Sequence, residues 1–223
     1  SFEHKGKPSF GLLNESGVID AGARLSGQFS DLRSILIAGA LGKLHELHCV
    51  DADFSEADIN YLPVIPNASK ILCVGINYLG HIKETGRDIP KYPVLFTRFS
   101  DSIVGHNAPL IRPKVSTDFD YEGELAVIIG KRARHVPQAE AMDYVAGYSC
   151  FNEGSIRDFQ RHTIQFTAGK NFYKSGSFGP HMITSDEQPD PNAFHLQIRL
   201  NGQVLQDSPV SDLCFNIPEL FNT

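Results

Sequence analysis

Residues 120–131 read DYEGELAVIIGK, and this stretch joins an apolar strand to three regularly spaced acids. The run from residue 125 to 130 is rich in strand-forming residues, which is typical of a buried strand. Asp120, Glu122 and Glu124 precede it at every second position. Because side chains alternate faces along a strand, we expect the three carboxylates to point the same way. Like charges at an apolar edge repel each other and lose hydration, so the pattern indicates a bound cation.

The pair Glu122 and Glu124 is the first candidate for holding that cation. Their Cα atoms should lie roughly 6.5–7 Å apart on one strand face. Each side chain can then place one oxygen about 2.0–2.6 Å from a shared Mg²⁺, Mn²⁺ or Ca²⁺ ion, and hard divalent cations prefer such oxygen ligands. The alternative is an exposed acidic edge without a metal, and the spacing of two acids alone favours that alternative.

A third acid, Glu153 in FNEGSIRD, strengthens the interpretation as a metal site. It lies where a predicted strand runs into a predicted helix that Ser155 is expected to cap. Such a junction holds a ligand on a rigid support. Asp158, one turn into the helix, is expected to pair with a nearby Arg or Lys.

The composition excludes several classes of protein. With 223 residues, 41% of them hydrophobic and 21% charged, the chain can form one large domain or a small domain followed by a larger one. The net charge of -6 argues against nonspecific nucleic-acid binding, and no segment approaches the roughly 20 apolar residues of a membrane span. The four cysteines are far apart and lack zinc-finger spacing, which is typical of reduced thiols in a cytoplasmic protein.

Local patterns divide the chain into two predicted units. Residues 1–62 are expected to form a small N-terminal α/β domain, with two strands around residues 14–17 and one helix over 32–44 that Ser30 or Asp31 could cap. A proline-rich stretch then reads as an extended linker. Residues 63–223 are expected to form the larger unit. Its end at Thr223 looks incomplete, because the helix pattern before it has no capping glycine.

The larger unit is predicted to be strand-rich. We expect strands over 71–75 and 94–99, a short helix between them that ends at Gly86, and a further helix at PQAEAMDYV. The sequence HLQIRLNGQVLQD predicts a hairpin around Asn201–Gly202. Because strands and helices do not alternate regularly, the pattern predicts an α+β fold rather than a doubly wound sheet.

From about residue 60 onward, the chain resembles the fumarylacetoacetate hydrolase superfamily. Five segments occur in the order typical of that family: CVGINYLGHIKETG (73–86), PVLFTRFSDSIVGH (93–106), DYEGELAVIIGK (120–131), GYSCFNEGSIRDFQ (147–160) and GKNFYKSGSFGP (169–180). The resemblance implies a mixed β-roll with short helices. The leading unit resembles the variable N-terminal domain that many members carry.

In that family, two Glu of an ExE strand and an acid from a following motif hold a divalent metal. The resemblance therefore implies that Glu122, Glu124 and Glu153 bind Mg²⁺ or Mn²⁺, and the ligand set also suits Ca²⁺. Most members have Asp where this chain has Glu153. The additional methylene still reaches a metal but changes the coordination geometry.

The resemblance also implies a general base and a cationic substrate contact. His81 and Glu84 lie three residues apart, on one face of a helical turn, and would together activate a water. Their spacing alone favours an incidental exposed pair, and it is the surrounding motif that favours the general base. Lys170 would contact the substrate and the negative charge that develops on it.

Three further residues are expected to line the substrate pocket, namely Gln160, Arg98 and Tyr78. Gln160 belongs to the RDxQ part of the family motif and would donate a hydrogen bond to the substrate. Arg157 of the same motif is expected to be structural. Asp120 is expected to lie behind the metal ligands or on the surface.

Members of the family act on small 2-oxo acids and 1,3-dicarbonyls, so the resemblance implies an enzyme with a small-molecule substrate. The His81 and Glu84 pair favours hydrolysis of a C–C bond in an acylpyruvate-like substrate through a metal-stabilised enolate. The alternatives are an oxaloacetate-type decarboxylase, an isomerase or hydratase of an unsaturated 2-oxo diacid, and a non-catalytic metal-dependent ligand binder. Family members are commonly homodimers, and we expect a homodimer here.

Overall fold

The structure, a computed structural model, describes residues 1–25 and 27–222 and is built from short strands and a few short helices. The strands are β1 Phe2–His4, β2 Lys7–Ser9, β3 Gly11–Asn14, β4 Gly17–Asp20, β5 Asn60–Tyr61, β6 Ile71–Gly75, β7 Val94–Arg98, β8 Ile103–Val104, β9 Phe119–Asp120, β10 Gly123–Ile129, β11 Val145–Asn152, β12 Ser155–Ile156, β13 Gly176–Phe178, β14 Ile183–Thr184, β15 His195–Leu200 and β16 Gln203–Pro209. The predicted end of the larger unit at Thr223 lies outside the described residues.

The helices are all short. The α-helices are α1 Ala21–Arg24, α2 Leu32–Ile37, α3 Gly42–His45, α4 Leu79–Glu84, α5 Arg157–Gln160, α6 Thr167–Lys170 and α7 Ile217–Leu220. The 3-10 helices are Glu56–Asp58, Ser100–Ser102, Gln138–Tyr144, Pro191–Ala193 and Val210–Asp212. None of the helices in the described residues has the length and apolar character needed to cross a membrane. Many strands with few helices confirm the mixed fold expected from the sequence.

The largest sheet positions the acidic stretch. Its strand order is β10-β11-β13-β8, and β14 also pairs with β11. Strands β10 and β11 are antiparallel, with Glu124 opposite Phe151, whereas β13 and β8 are parallel. The start of β10 therefore lies beside the end of β11, which brings Glu124 close to the residues that follow Asn152.

The strands predicted over 71–75 and 94–99 are present, and the hairpin predicted around Asn201–Gly202 is confirmed. Strands β6 and β7 pair antiparallel along their whole length. Strands β15 and β16 meet at Asn201 and Gly202, whose φ angles are +51° and +84°. Positive φ at both central residues is the requirement of the tight turn that Asn-Gly favours.

The N-terminal region departs from its prediction in two places. It contains two hairpins, β1–β2 and β3–β4, rather than one. The single helix expected over 32–44 is instead α2 followed by α3. Asp31 caps α2 by accepting a hydrogen bond from the backbone N–H of Ser34, as expected. The helix then ends because Gly39 adopts a φ of +63°, in the left-handed region.

One buried cluster contains residues from both predicted units. Phe10 and Ile35 from the first 62 residues belong to the same cluster as Ile103, Ile128 and Phe178 from the remainder. Burying a side chain of this size stabilises the fold by roughly 1.5–3 kcal/mol. The packing therefore continues across the predicted boundary between residues 62 and 63.

The predicted helix at PQAEAMDYV has a different geometry from the one expected. Residues Gln138–Tyr144 form a 3-10 helix, and the strand β11 begins directly after it at Val145. Only Ala141 within this segment is buried, while Met142 packs against the cluster around Tyr148 and the Tyr144 ring lies against that of Phe221. The tighter 3-10 winding suits such a short connector.

Candidate functional site

Glu122 is bonded by three side chains that come from three different elements. Its Oε1 accepts hydrogen bonds from Lys170 Nζ at 2.8 Å and from Ser155 Oγ at 2.7 Å, and it lies 2.6 Å from Arg157 Nη1. Its Oε2 accepts a second bond from Lys170 Nζ at 2.9 Å. Lys170 ends α6, Arg157 begins α5 and Ser155 begins β12, so Glu122 is where these elements meet.

The acidic strand is interrupted, which corrects the expectation of one continuous strand. Asp120 ends β9, which pairs with β12, whereas β10 begins at Gly123 and pairs with β11. Even so, Arg157 binds both Asp120 and Glu122, with Nη2 lying 2.7 Å from Asp120 Oδ2. These two carboxylates therefore face the same side, as predicted, but because of a shared arginine.

Ser155 does not cap the helix that it was expected to cap. It lies in β12, its hydroxyl donates to Glu122 and to the carbonyl oxygen of Glu153, and the residue that precedes α5 is Ile156. Asp158 pairs with no Arg or Lys in the hydrogen bonds of the described residues, since its Oδ1 accepts from Ser116 Oγ at 2.7 Å. Both expectations were local, and long-range partners replaced them.

Glu153 is held directly beside Glu122 by the backbone. Its N–H donates to the Glu122 carbonyl oxygen at 2.8 Å, and its side chain is 5% exposed. Its Oε1 lies 3.5 Å from Arg98 Nη1, yet it accepts no hydrogen bond from any described residue. Burial raises the pKa of Glu153, and the positive charges of Lys170 and Arg98 oppose that change. A buried carboxylate oxygen without a donor is one that a cation would stabilise.

Glu124 completes the group of three acids. Burial, reinforced by the negative charges of Glu122 and Glu153, raises the pKa of Glu124 to about 8, while Lys170 opposes the shift. We call the side chains of Glu122, Glu124 and Glu153 the acidic centre. Their mutual electrostatic influence shows that they share one region, which is the premise of the predicted metal site.

The chemistry of the acidic centre fits a hard divalent cation. Three carboxylates provide only oxygen ligands, and one buried oxygen of Glu153 has no donor. Burial, reinforced by the charges of Glu122 and Glu153, holds the pKa of Glu124 above neutral pH. Within residues 1–25 and 27–222, however, no three His, Cys, Asp or Glu side chains are already arranged as a ligand set. Glu122 is bonded to Lys170 and Arg157 instead, and the metal-ligand roles stay a prediction.

Arg98 occupies a supporting place, which argues against the predicted contact with substrate. Its side chain is 0% exposed. Its guanidinium donates to Ser102, to the Gly154 carbonyl oxygen at 3.1 Å and to Ser175 Oγ at 2.8 Å. With its donors used inside the protein, Arg98 supports the turn that carries Glu153 rather than an open pocket.

Lys170 lies at the acidic centre, where the resemblance had placed a substrate-contacting lysine. The residue is 2% exposed, and its ammonium lies 5.0 Å from the centre of the Phe96 ring. Cys73 on β6 lies close enough that the charges of Glu153, Arg98 and Lys170 all act on its thiol. Burial is the main reason why the pKa of Cys73 is raised.

His81 and Glu84 form the predicted pair on α4. His81 Nδ1 lies 3.7 Å from Glu84 Oε2, and the side chains are 60% and 80% exposed. Tyr78, which directly precedes α4, is within electrostatic reach of the acidic centre. Burial, with smaller contributions from Glu124 and Asp212, raises the pKa of Tyr78. Tyr78 thus feels the charge of Glu124, while the side chains of His81 and Glu84 stay exposed.

The contacts of Gln160 and Arg157 differ from those expected. Arg157 was expected to be structural, but it lies in the site and binds Asp120, Glu122 and Gln160 Oε1, the last at 2.9 Å. The oxygen of Gln160 therefore orients Arg157, which leaves the amide N–H₂ as the group for the predicted substrate contact. The RDxQ spacing, one helical turn from Arg to Gln, could have signalled this pair.

Sequence comparison identifies related proteins over most of the chain. The family model for the fumarylacetoacetate (FAA) hydrolase C-terminal domain matches residues 70–222. Human mitochondrial oxaloacetate tautomerase FAHD2A is 35% identical over 166 residues, which cover 74% of this chain and 53% of the relative. The chain therefore spans about half the length of that relative.

Solved structures share the fold. Fumarylacetoacetate hydrolase from Exiguobacterium antarcticum superposes with a TM-score of 0.81 at 28% identity, covering 99% of this chain and 78% of that chain. The 5-carboxymethyl-2-hydroxymuconate delta-isomerase from Mycobacterium smegmatis superposes with a TM-score of 0.66 at 34% identity, covering 75% of this chain and 63% of that chain. These matches confirm the resemblance that the five sequence segments indicated.

Proposed function

The chain belongs to the fumarylacetoacetate hydrolase family, and from this premise we propose that it is a metal-dependent enzyme for a small 2-oxo acid or 1,3-dicarbonyl substrate. The observation that supports this proposal is the buried ammonium of Lys170 on Glu122, beside Glu124 and Glu153. Three carboxylates for a cation, next to a fixed positive charge, suit a substrate that must accept an electron pair.

The acidic centre would hold the ion with Glu122, Glu124 and Glu153. A bound Mg²⁺ or Mn²⁺ would supply Lewis-acid withdrawal of electrons from the carboxylate and keto oxygens of a 2-oxo acid. Lys170 adds a second positive charge where the negative charge develops. Arg157, held by Asp120 and Gln160, keeps Glu122 oriented.

Hydrolysis of a C–C bond is the first outcome that we propose, because the His81 and Glu84 pair can act as a general base. His81 removes a proton from water, and the oxygen of that water adds to the acyl carbonyl carbon. The C–C bond then breaks, the acyl carbon leaves as a carboxylic acid, and the electron pair of the bond forms the pyruvate enolate. His81 returns the proton to the methylene carbon of that enolate, which gives pyruvate. Glu84 stabilises the imidazolium between the two proton transfers.

A second outcome, proton transfer without cleavage, is favoured by the names of two of the similar proteins. One is an oxaloacetate tautomerase and the other a delta-isomerase, at 35% and 34% identity. The same enolate serves such a reaction when no water is added. Decarboxylation of an oxaloacetate-like acid would use that enolate as well.

A substrate panel with product analysis separates these outcomes. The protein is incubated with Mn²⁺ or Mg²⁺ and either acetylpyruvate or oxaloacetate. Pyruvate plus acetate indicates hydrolysis, accelerated interconversion of enol and keto oxaloacetate indicates tautomerisation, and CO₂ release indicates decarboxylation. If the metal raised the melting temperature but no substrate were turned over, the protein would be a non-catalytic, metal-dependent ligand binder rather than an enzyme.

A further inference from the structure

Residues 212–215, which we call the latch, are bonded to the segment that leads into α4. The side chain of Asn77 donates from Nδ2 to the Phe215 carbonyl oxygen at 3.0 Å and accepts at Oδ1 from the Phe215 N–H at 2.8 Å. The Cys214 N–H donates to the Asn77 carbonyl oxygen at 2.8 Å, and Tyr78 and Leu213 form a β-bridge. Asn77 is 6% exposed. Its amide therefore joins two segments that are far apart in sequence.

Asp212 supplies the cap that α4 lacks. Tyr78 occupies the N-cap position of α4 but makes no side-chain capping bond. Instead, Asp212 Oδ2 accepts a hydrogen bond from the Gly80 N–H at 2.7 Å, across 132 residues of sequence. A free N–H in the first turn of a helix needs such an acceptor. A Cβ at Gly80 would lie 3.1 Å from the same oxygen, so the contact is close.

The backbone between β6 and α4 is strained at Ile76. Its φ of +58° lies in the left-handed region, which a β-branched side chain strongly disfavours. Such a conformation persists only where surrounding contacts determine it. The three hydrogen bonds of Asn77, the next residue, are contacts of that kind.

The arrangement gives the exposed pair on α4 a fixed base. Among the described residues, the His81 and Glu84 side chains make no ion pair with the acidic centre. Their position is therefore set by the helix that carries them. We propose that Asn77 and Asp212 are positioning residues, which hold α4 through the latch so that His81 and Glu84 keep one place relative to the acidic centre. This inference rests on the proposed function.

The test compares Asn77→Ala and Asp212→Ala with Asp212→Asn, which keeps an oxygen acceptor for the Gly80 N–H. The matched control is Asn216→Ala, which removes the cap of α7 next to the latch but no bond to α4. Amide hydrogen exchange of residues 79–86 reports how firmly α4 is held. Turnover of acetylpyruvate with Mn²⁺ reports kcat and KM separately.

We expect exchange in residues 79–86 to accelerate in both alanine variants, with kcat lower by about 10- to 100-fold and KM within about 2-fold of wild type. Asp212→Asn should recover most of both losses, and Asn216→Ala should leave both readouts unchanged. Should Asn77→Ala fail to fold, the partly exposed Asp212 provides the decisive variants.

Two different results would overturn the inference. Unchanged exchange in α4 of Asp212→Ala would show that the latch does not hold the helix. Wild-type kcat in Asp212→Ala, with accelerated exchange, would show that holding α4 has no catalytic consequence. Absence of acetylpyruvate turnover by the wild-type protein is a separate result: it removes the proposed hydrolysis, while the exchange measurement still decides whether the latch holds α4.

Discussion

The ammonium of Lys170 binds both carboxylate oxygens of Glu122, at 2.8 Å and 2.9 Å. Lys170 is 2% exposed, whereas the Glu122 side chain is 21% exposed. Burial of the Lys170 ammonium therefore depends on the ion pair with Glu122, because a buried ammonium without a carboxylate is strongly unfavourable. The charge of Lys170 also opposes the rise in the pKa of Glu124 and of Glu153.

Replacing this lysine should affect both stability and activity. In Lys170→Met, we expect the free energy of unfolding to fall by roughly 1–3 kcal/mol, because Glu122 loses two hydrogen bonds, and kcat to fall by about 10²–10³-fold. Urea unfolding and steady-state kinetics measure the two effects.

The double variant Lys170→Met with Glu122→Gln serves as the control. It removes both charges, so it should recover part of the lost stability and none of the activity. If Lys170→Met alone retained wild-type kcat, the charge of Lys170 would have no place in the mechanism.

The elevated pKa of Glu124 predicts a pH dependence of stability. A carboxyl group whose pKa rises from 4.5 to about 8 on folding favours the folded state while it is protonated. Its contribution is fully present below about pH 4.5 and is lost as the pH rises through 8. We therefore expect Glu124→Gln, measured with EDTA present, to become more stable relative to wild type as the pH rises from 5 to 8.

The same group should couple metal binding to proton release. A cation at the acidic centre favours the ionised form of Glu124, so binding of Mn²⁺ below about pH 8 should release a proton. Calorimetry in two buffers of different ionisation enthalpy measures the number of protons. The proton count should drop in Glu124→Gln, and an unchanged count would assign the released proton to another group.

Arg157 should be sensitive to a change that keeps its charge. Its guanidinium binds Asp120, Glu122 and Gln160 at once, and a lysine ammonium cannot reproduce that planar arrangement. We expect Arg157→Lys to reduce kcat/KM by about 10- to 100-fold, with a small change in melting temperature. The exposed Arg132→Lys is the matched control, and equal kinetics in both variants would return Arg157 to a purely structural role.

A glycine next to Lys170 should not tolerate a side chain. A Cβ at Gly169 would lie 2.5 Å from the Gln160 nitrogen and 2.5 Å from the Ile156 oxygen. These are backbone atoms, so α5 and α6 would have to separate. We expect Gly169→Ala to destabilise the protein by about 1–3 kcal/mol.

Gly42→Ala is the control for that prediction, because Gly42 is also helical and a Cβ there meets nothing within 4 Å. It should be neutral or slightly stabilising. Thermal unfolding compares the two variants, and similar melting temperatures would show that the contact between α5 and α6 has more room than the distances indicate.

Local sequence signals sufficed where an element depends on its own residues. The strand β6 was predictable from an apolar run, the turn at Asn201–Gly202 from its demand for positive φ, and the cap of α2 from Asp31. Each of these features is formed by neighbours in the chain. The ordered motifs added the family, and with it the candidates for the acidic centre.

Features that depend on distant partners could not be predicted in this way. The strand predicted through Glu122 is broken there, because β9 pairs with β12 and β10 with β11. Ser155 bonds to Glu122 instead of capping α5. Arg157 looked structural because nothing nearby in sequence shows that two separate carboxylates converge on it. The same applies to Asp212, whose partner Gly80 lies 132 residues away.

The pair on α4 provides the sharpest test of hydrolysis. His81 is 60% exposed and lies 3.7 Å from Glu84, so removing the imidazole should not disturb the core. In His81→Ala we expect hydrolysis of an acylpyruvate to fall by about 10²–10⁴-fold, the range of general acid–base catalysis. Metal affinity should stay unchanged, because the acidic centre is left intact.

The two proposed outcomes respond differently to this variant. Hydrolysis needs a base that activates water, whereas proton transfer on the enolate can use another group as its base. If His81→Ala still interconverts the keto and enol forms of oxaloacetate, the role of the His81 and Glu84 pair is the activation of water alone. The exposed His135, with a φ of +54°, supplies the control His135→Asn, since asparagine tolerates that backbone. If His81→Ala hydrolysed acetylpyruvate as fast as this control, the general base would have to lie elsewhere.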